Sequence, residues 1–246
     1  MRGLTFPDAV LQIEGISPVP ITTAVAAIQQ ASSNARLELP EPYETSNRAI
    51  TYLCKRGISR DIIDFCLNSG RLYESRMHHN AIFVGFDQQG TPRYAAIRGT
   101  TNTRYMGEAP GSDKRYSFAI PAEDSSPELH LFESAIDLLS YCTLAAISGK
   151  DWRQSHQLSL AGIYAPKERK EEHIAPAALT QYLQTYPQVD RLVLHLDNDE
   201  PGRLSAAAIR QLLSPVLSIS DEPPKNGKDV NEELMNCLAR RKERIR

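Results

Sequence analysis

The sequence predicts an α/β protein: a mostly parallel sheet with helices on both faces, preceded by a smaller α+β domain with a β-hairpin. From Glu128 onward, strand-like and helical segments alternate, and this alternation is typical of a parallel sheet. Farther upstream, two β-rich runs flank the turn signal Asp-Gln-Gln-Gly at 87–90, which indicates a hairpin. The 246 residues suffice for one large domain or two small ones.

The first half of the chain divides into an appendage and a domain. Residues 1–45 are interpreted as a helical appendage and an extended linker, because prolines near its end oppose a helix. Residues 46–127 are predicted to form the α+β domain. It contains two short helices over 47–70, the second capped by Ser59, then the hairpin over 80–100. The remainder is predicted to be a long loop with one short strand at 116–120.

Residues 128–246 are predicted to form the parallel-sheet domain. Strands are expected at 128–132, 156–163, 191–196 and 216–220. Helices are expected at 133–147, 175–186, 202–213 and 230–245.

Composition excludes several classes of protein. No apolar run reaches the roughly 18 residues of a membrane span, and the N-terminus has no signal-peptide core. The four cysteines form no C-x-x-C pair, so we expect no zinc and a reducing, cytoplasmic setting. The net charge of −2 argues against a protein that coats polyanions. Residues 93–115 nevertheless form a local basic strip, and such a strip can bind phosphates.

Acidic residues follow the predicted strands at one end of the sheet. Glu133 comes directly after the strand at 128–132, and Asp197 and Asp199 come directly after the strand at 191–196. Asp137 lies one helical turn beyond Glu133, and Asp229 follows the last strand across a short loop. Because ligands bind beyond the carboxyl ends of parallel strands, these acids are predicted to form one cluster.

Each acid also has a simpler explanation. Glu133 could stabilise a helix N-terminus, and Asp199 could be a turn residue before Pro201. His195 alternates with apolar residues and is interpreted as a core histidine rather than a ligand. Taken together, however, the acids suit Mg²⁺, which prefers oxygen ligands and supports phosphoryl transfer. Gly202 would allow a close approach of backbone or phosphate.

The three acidic segments resemble the Toprim domain, the Mg²⁺-binding fold of bacterial-type primases, topoisomerases and some nucleases. In the first motif, Glu133 and Asp137 keep the acids while Ser134 replaces the usual glycine. Asp197, Asp199 and Gly202 match the second motif, and Asp229 matches a later acid of primases. The resemblance implies that Glu133, Asp197 and Asp199 are catalytic and that all five acids bind Mg²⁺ or Mn²⁺.

The upstream segments at 55–75, 80–100 and 111–118 resemble the domain that precedes Toprim in primase-like proteins of bacterial mobile elements. By this resemblance, Arg98, Lys114 and Lys228 are candidates for binding nucleotide or nucleic acid. Primases carry a zinc-binding domain in front of this region, and the chain lacks one, so we expect a fragment or a shortened form.

The resemblance implies primase-like nucleotidyl transfer on a single-stranded DNA template. The implied partners are single-stranded DNA, nucleotides, and a replicative helicase or another replication protein of a mobile element, with no membrane involved. Two alternatives remain open: a Toprim-type nuclease that uses the same acids, and a non-catalytic nucleic-acid-binding module.

Overall fold

The computed structural model describes residues 36–101, 105–162 and 175–245. The helices predicted within residues 1–35 lie outside the described residues. Residues 36–45 contain no helix and run past the first sheet, where Pro42 forms an isolated antiparallel bridge with Ser75. The predicted extended conformation of this segment agrees with the structure.

The described chain contains six α-helices, nine β-strands and two short 3₁₀ helices. The helices are α1 (Asn47–Lys55), α2 (Arg60–Asn68), α3 (Ala135–Ile147), α4 (Ala177–Thr185), α5 (Glu200–Leu213) and α6 (Val230–Ile245). The strands are β1 (Leu72–Glu74), β2 (Ala81–Phe86), β3 (Pro92–Arg98), β4 (Met106–Glu108), β5 (Ala119–Ile120), β6 (Glu128–Phe132), β7 (His156–Ser159), β8 (Arg191–Leu194) and β9 (Ser218–Asp221). The 3₁₀ helices are Lys114–Tyr116 and Trp152–Gln154.

The strands form two sheets. The first is antiparallel, with the order β1-β2-β3-β4. The second has the order β5-β7-β6-β8-β9, and all its pairs are parallel except β5 with β7. The predicted fold class is therefore confirmed: a mostly parallel α/β sheet follows a smaller unit with a hairpin.

The hairpin of β2 and β3 packs tightly against the segment that leads to the second sheet. Its register places Ala81 opposite Arg98 and Gly85 opposite Tyr94, with an irregularity after Gly85. A Cβ atom at Gly85 would lie only 1.8 Å from the carbonyl oxygen of Tyr116. Glycine is required here because two backbone segments meet at this point.

Two large hydrophobic clusters cover the two faces of the second sheet. One joins Phe132 to α3, α6, α1 and α2, so it is shared between the first half of the chain and the parallel sheet. The other packs Leu129 and Leu131 of β6 against α4 and α5. Helices on both faces explain why β6 and β8 are apolar almost throughout.

Two short strands, β1 and β4, were not predicted. Each has three residues, too few for a period-2 pattern to emerge, and each exists because a longer strand pairs with it. The predicted long loop after β3 is thus divided by β4 and a 3₁₀ helix. Within the described ranges, no helix combines the length and apolar character needed to cross a membrane.

Candidate active site

The carboxyl ends of β6 and β8 bring two of the predicted acids together. Glu133 follows β6, Asp197 lies shortly beyond β8, and the strands pair in parallel with Leu131 opposite Leu194. Oε1 of Glu133 accepts a hydrogen bond from the backbone N–H of Asp197 at 3.0 Å. Both residues line one cleft of about 690 Å³, so the parallel pairing builds the centre of the site.

Asp137 is the most enclosed acid of the cleft. Ser134 is the N-cap of α3: its Oγ accepts the N–H of Asp137 at 3.3 Å and donates to Oδ2 of Asp137 at 2.5 Å. The N–H of Asn231 donates to Oδ1 of Asp137 at 3.3 Å. Asp137 is only 7% exposed. Ser134 stands in place of the glycine of the resembled motif, and its two hydrogen bonds hold the carboxylate of Asp137. Ser134, rather than Glu133, caps the helix.

Asp199 combines a cap with an ion pair. Its Oδ1 accepts the N–H of Gly202 at 3.0 Å, at the start of α5, and its Oδ2 lies 3.0 Å from Nζ of Lys228. The hydrogen bond from the N–H of Gly202 is the largest cause that lowers the pKa of Asp199, and the hydrogen bond from Lys228 is the next. The same ion pair raises the pKa of Lys228. Asp199 is thus the N-cap of α5, where the sequence suggested a turn residue, and the same carboxylate also lines the cleft.

Asp229 also lines the cleft and lies directly before α6. Its Oδ1 accepts the N–H of Glu232 at 2.7 Å. Next to it, the backbone carbonyl of Lys228 accepts the N–H of Asn198 at 2.7 Å. This bond joins the loop before α6 to the loop after β8, and it brings Asp229 to the same cleft as Asp197.

The antiparallel sheet supplies a basic residue to the cleft. Arg98, at the end of β3, lines the cleft, and its positive charge favours ionisation of Asp137. Lys114 does not line the cleft: its Nζ pairs with Oε1 of Glu108 at 3.0 Å, and Glu108 is the residue that lines it. Of the three predicted basic residues, the structure brings Arg98 and Lys228 to the acids.

Burial, together with mutual repulsion, raises the pKa values of the central acids. Burial, reinforced by the negative charges of Glu133 and the other acids, raises the pKa of Asp197 to about 8. Burial is also the main cause that raises the pKa of Asp137 to about 6 and that moves the pKa of Glu133 above its usual range. Carboxylates that repel one another in this way bind a cation or a proton in preference to remaining ionised alone.

The donor set fits Mg²⁺. Every acidic ligand candidate offers carboxylate oxygens, the donors that this hard cation prefers. Among residues 36–101, 105–162 and 175–245, no three His, Cys, Asp or Glu side chains are already arranged around a single metal position. Mg²⁺ needs no such cage, because it retains several waters and takes one or two carboxylates. Asp197, with Glu133 beside it, is the best-placed candidate ligand.

Arg203 is a residue of the site that the sequence did not reveal. Its Nη2 donates to the carbonyl of Leu196 at 2.7 Å and its Nε donates to the carbonyl of Asp197 at 3.1 Å. Its Nη1 pairs with Oδ1 of Asp221, on β9, at 2.9 Å. Arg203 therefore holds the loop that carries Asp197. No motif marks it, because these partners are backbone atoms and a distant strand.

Gly202 is required for the same loop. A Cβ atom at this position would lie 2.2 Å from the carbonyl oxygen of Asp197 and 2.9 Å from Oε1 of Glu133. The predicted close approach of backbone at Gly202 is thus found in the structure, and the neighbour is the loop that carries Asp197.

Comparison with known protein families adds a second line of support. Residues 51–124 match the family described as a protein of unknown function, DUF3991, and residues 130–234 match the family described as Toprim-like. The chain therefore contains a Toprim-like domain. The Toprim match spans β6 to the first turns of α6, and thus includes Glu133, Asp137, Asp197, Asp199 and Asp229.

Solved structures similar to this Toprim protein are primase cores. The primase fragment of the bacteriophage T7 primase-helicase protein has a TM-score of 0.52 and 16% identity, covering 88% of this chain and 84% of that chain. The E. coli primase catalytic core has a TM-score of 0.50 and 14% identity, covering 82% and 74%. A DnaG primase catalytic domain bound to single-stranded DNA has a TM-score of 0.51 and 13% identity, covering 97% and 81%.

At these identities, the similarity establishes a primase-like fold for the Toprim protein. No curated protein matches its sequence. The predicted resemblance to Toprim-domain, primase-like proteins is confirmed. The roles of the individual acids and the association with mobile elements remain predictions.

Proposed function

We propose that this Toprim protein catalyses Mg²⁺-dependent phosphoryl transfer on nucleic acid, as a primase-like nucleotidyltransferase that acts on a single-stranded DNA template. One observation carries the proposal: acids from three separate segments of the chain line one cleft together with two basic residues. These residues are Glu133, Asp137, Asp197, Asp199, Asp229, Arg98 and Lys228.

Glu133 is the proposed proton acceptor. In nucleotidyl transfer, a 3′-hydroxyl oxygen attacks the α-phosphorus of a nucleoside triphosphate, the bond from this phosphorus to the β-phosphate oxygen breaks, and pyrophosphate leaves. The hydroxyl proton passes to Glu133, whose buried carboxylate has a raised pKa, as a general base requires. The bond from the Asp197 N–H to Oε1 of Glu133 fixes the direction of this side chain.

Asp197 and Asp199 are the proposed metal-binding pair, supported by Asp137 and Asp229. When bound, Mg²⁺ or Mn²⁺ neutralises negative charge on the phosphate oxygens. The raised pKa of Asp197 supports its assignment, because a nearby cation would offset both the burial and the repulsion that cause the shift. Asp199 would exchange or share its present partner, Lys228.

Basic residues from both parts of the fold are proposed to hold phosphates. Arg98 belongs to the antiparallel sheet and Lys228 to the loop before α6, so a phosphate chain between them would span the cleft. Lys114 is a further candidate if its ion pair with Glu108 opens. We further propose single-stranded DNA, nucleotides and a replicative helicase or another mobile-element replication protein as partners in the cytoplasm. The T7 neighbour is a primase-helicase protein, and the DnaG neighbour holds single-stranded DNA.

Template-dependent synthesis tests the proposal. Purified protein is incubated with single-stranded DNA, ribonucleotides and Mg²⁺ or Mn²⁺, and labelled products are separated by length. We expect oligonucleotides that require the template, and a loss of at least about 100-fold for Asp197→Asn. Asp190→Asn is the matched control, because Asp190 is an exposed aspartate just before β8, away from the cleft residues.

The same assay separates the alternatives. If labelled DNA or RNA is shortened in the presence of metal, and Asp197→Asn abolishes this shortening, the protein is a nuclease rather than a primase. DNA binding without any product, unchanged in Asp197→Asn, would indicate a non-catalytic binding module. Equal product from wild type and Asp197→Asn would refute the catalytic assignment.

A further inference from the structure

A second cavity, of about 380 Å³, lies outside the acidic cleft. It is enclosed by the end of α2, the β2–β3 turn, the 3₁₀ helix at 114–116, β5 and α4. No residue that lines it also lines the acidic cleft. Its size is at the lower end for small-molecule sites, which suits a single small ligand. Nothing in the proposed transfer reaction uses this cavity.

Aromatic rings form much of the cavity wall. Phe86, Tyr116 and Tyr186 line it and are half-buried, and Tyr182 lies at its base. The rings of Tyr182 and Tyr186 are 4.6 Å apart, and the ring of Tyr186 also lies 4.6 Å from the ring of His156. Tyr186 is thus supported from within by two rings while part of it stays accessible. Such a supported, accessible ring is a platform on which a planar nucleobase can stack.

Arg71 supplies a positive charge to the same cavity. Its Nε donates to the carbonyl of Ala119 at 3.1 Å, and its guanidinium lies 5.7 Å from the centre of the Phe86 ring. In the part of the chain that the structure describes, no carboxylate lies within ion-pair distance of Arg71. The guanidinium is therefore held in place from one side by a neutral group, and its charge lacks an acidic partner there.

The other charged residues of the cavity are paired. Arg115 forms a double hydrogen bond with Asp113, at 3.0 Å and 2.6 Å. Asp87 accepts the turn N–H groups of Gln89 and Thr91 and pairs with Arg93. Arg71 is thus the group of this cavity that is suited to an incoming anion, and a guanidinium fork matches a phosphate group well.

We infer that this cavity binds a nucleoside phosphate, with its base against Tyr186 or Tyr116 and its phosphate on Arg71. The nucleoside phosphate is either a free nucleotide or one unit of a single-stranded nucleic acid. Stacking rings, together with an arginine that has no acidic partner among the described residues, distinguish this ligand class from a purely apolar molecule and from inorganic phosphate. The inference does not depend on the acids being catalytic.

Binding measurements with two probes test the inference. Fluorescence anisotropy follows a labelled oligodeoxythymidylate, and titration calorimetry follows ATP alone. We expect Arg71→Gln and Tyr186→Ala each to weaken binding of at least one probe about tenfold. Tyr186→Phe keeps the ring and should retain affinity. Arg60→Gln is the charge-matched control, because Arg60 is exposed, outside the cavity, and already paired with Asp64.

The two probes distinguish the two sources of the ligand. If the cavity variants lose affinity for the oligonucleotide alone, the cavity is a subsite for single-stranded nucleic acid. If they lose affinity for ATP, it is a site for a free nucleotide. Cross-linking of a 5-bromodeoxyuridine oligonucleotide to Tyr186 or Tyr116, detected by mass spectrometry, would directly support binding of a single-stranded nucleic acid. Thermal midpoints show whether each variant is folded. If Arg71→Gln is unfolded, the binding affinity of Tyr186→Ala decides the test.

The inference is overturned if wild type binds neither probe, or if the cavity variants lose no more affinity than Arg60→Gln. Its failure is separable from that of the proposed function. Asp197→Asn should abolish synthesis while leaving the effects of Arg71→Gln and Tyr186→Ala on binding unchanged.

Discussion

The backbone N–H of Asn231 donates a hydrogen bond to Oδ1 of Asp137 at 3.3 Å, across 94 positions of sequence. The side chain of Asn231 is buried beside it. Its Nδ2 donates to the carbonyl of Arg56 at 2.8 Å and to Oγ of Ser140 at 2.9 Å, and its Oδ1 accepts from Nη1 of Arg56 at 2.7 Å. One residue of α6 therefore links an acid of the cleft, the adjacent helix α3 and the turn after α1.

Replacing Asn231 should destabilise the protein and impair the cleft. Asn231→Ala removes the donor to the buried carbonyl of Arg56 and the acceptor of the Arg56 guanidinium, while the hydroxyl of Ser140 keeps its bond to the carbonyl of Ile136. We expect the free energy of unfolding to fall by about 2 kcal/mol. Urea unfolding measures it. Asn236→Ala, on an exposed part of the same helix, should cost less than about 0.5 kcal/mol. Equal effects of the two substitutions would contradict the linking role of Asn231.

Gly202→Ala should disrupt the site although alanine is the better helix former. Propensity alone would stabilise α5 by up to about 1 kcal/mol, but the new Cβ would lie 2.2 Å from the carbonyl of Asp197. We expect a lower thermal midpoint and loss of any metal-dependent activity, because the loop that carries Asp197 must move. A variant as stable and active as wild type would show that the loop relaxes freely.

Arg203→Lys should lower the activity by more than its effect on the stability of the protein accounts for. A lysine keeps the charge facing Asp221 but cannot also donate to the carbonyls of both Leu196 and Asp197. We expect activity to fall about tenfold or more, as a lowered kcat, with a loss of stability of about 1–2 kcal/mol. The control is Arg210→Lys, at an exposed position of the same helix. If both lysine variants retain full activity, Arg203 does not position the loop.

Stability without metal should fall as the pH rises. The pKa of Asp197 is raised to about 8 in the folded protein from an ordinary 3.8, so between about pH 4 and pH 8 the folded state retains a proton that the unfolded state has released. Stability therefore decreases with pH across this window. The pKa of Asp137, about 6, adds a change of the same sign at lower pH. Urea unfolding in EDTA at pH 5 and pH 8 measures this, and Asp197→Asn should reduce the slope.

Mg²⁺ should reverse the loss of stability at high pH, because the cation competes with the proton for the same carboxylates. We expect millimolar MgCl₂ to raise the thermal midpoint of wild type more at pH 8 than at pH 5, and to have little effect on Asp197→Asn. NaCl at the same ionic strength as the MgCl₂ is the control. An identical shift with both salts would refute specific binding at this acid.

The regular elements of the parallel-sheet domain were predictable from local sequence. Strand β6 at Glu128–Phe132 and helix α6 at Val230–Ile245 have the predicted bounds, because apolar runs and helical spacing are local signals. The hairpin of β2 and β3 was predicted from its turn residues. β1 and β4 were missed, because such short strands form only where a neighbouring strand supplies their hydrogen bonds.

By itself, the sequence determined the helices and the longer strands, and it determined which acids follow those strands. Propensity, periodicity and turn chemistry suffice for this because they act over a few residues. Only the tertiary structure decided that β6 lies beside β8, which sets Glu133 against the N–H of Asp197. It also decided that Arg98, Arg203 and Asn231 reach this cleft or its supporting loops. The contacts of Arg203 and Asn231 join distant segments through backbone atoms and a buried amide. No local pattern encodes such pairings, because packing of the whole chain selects them.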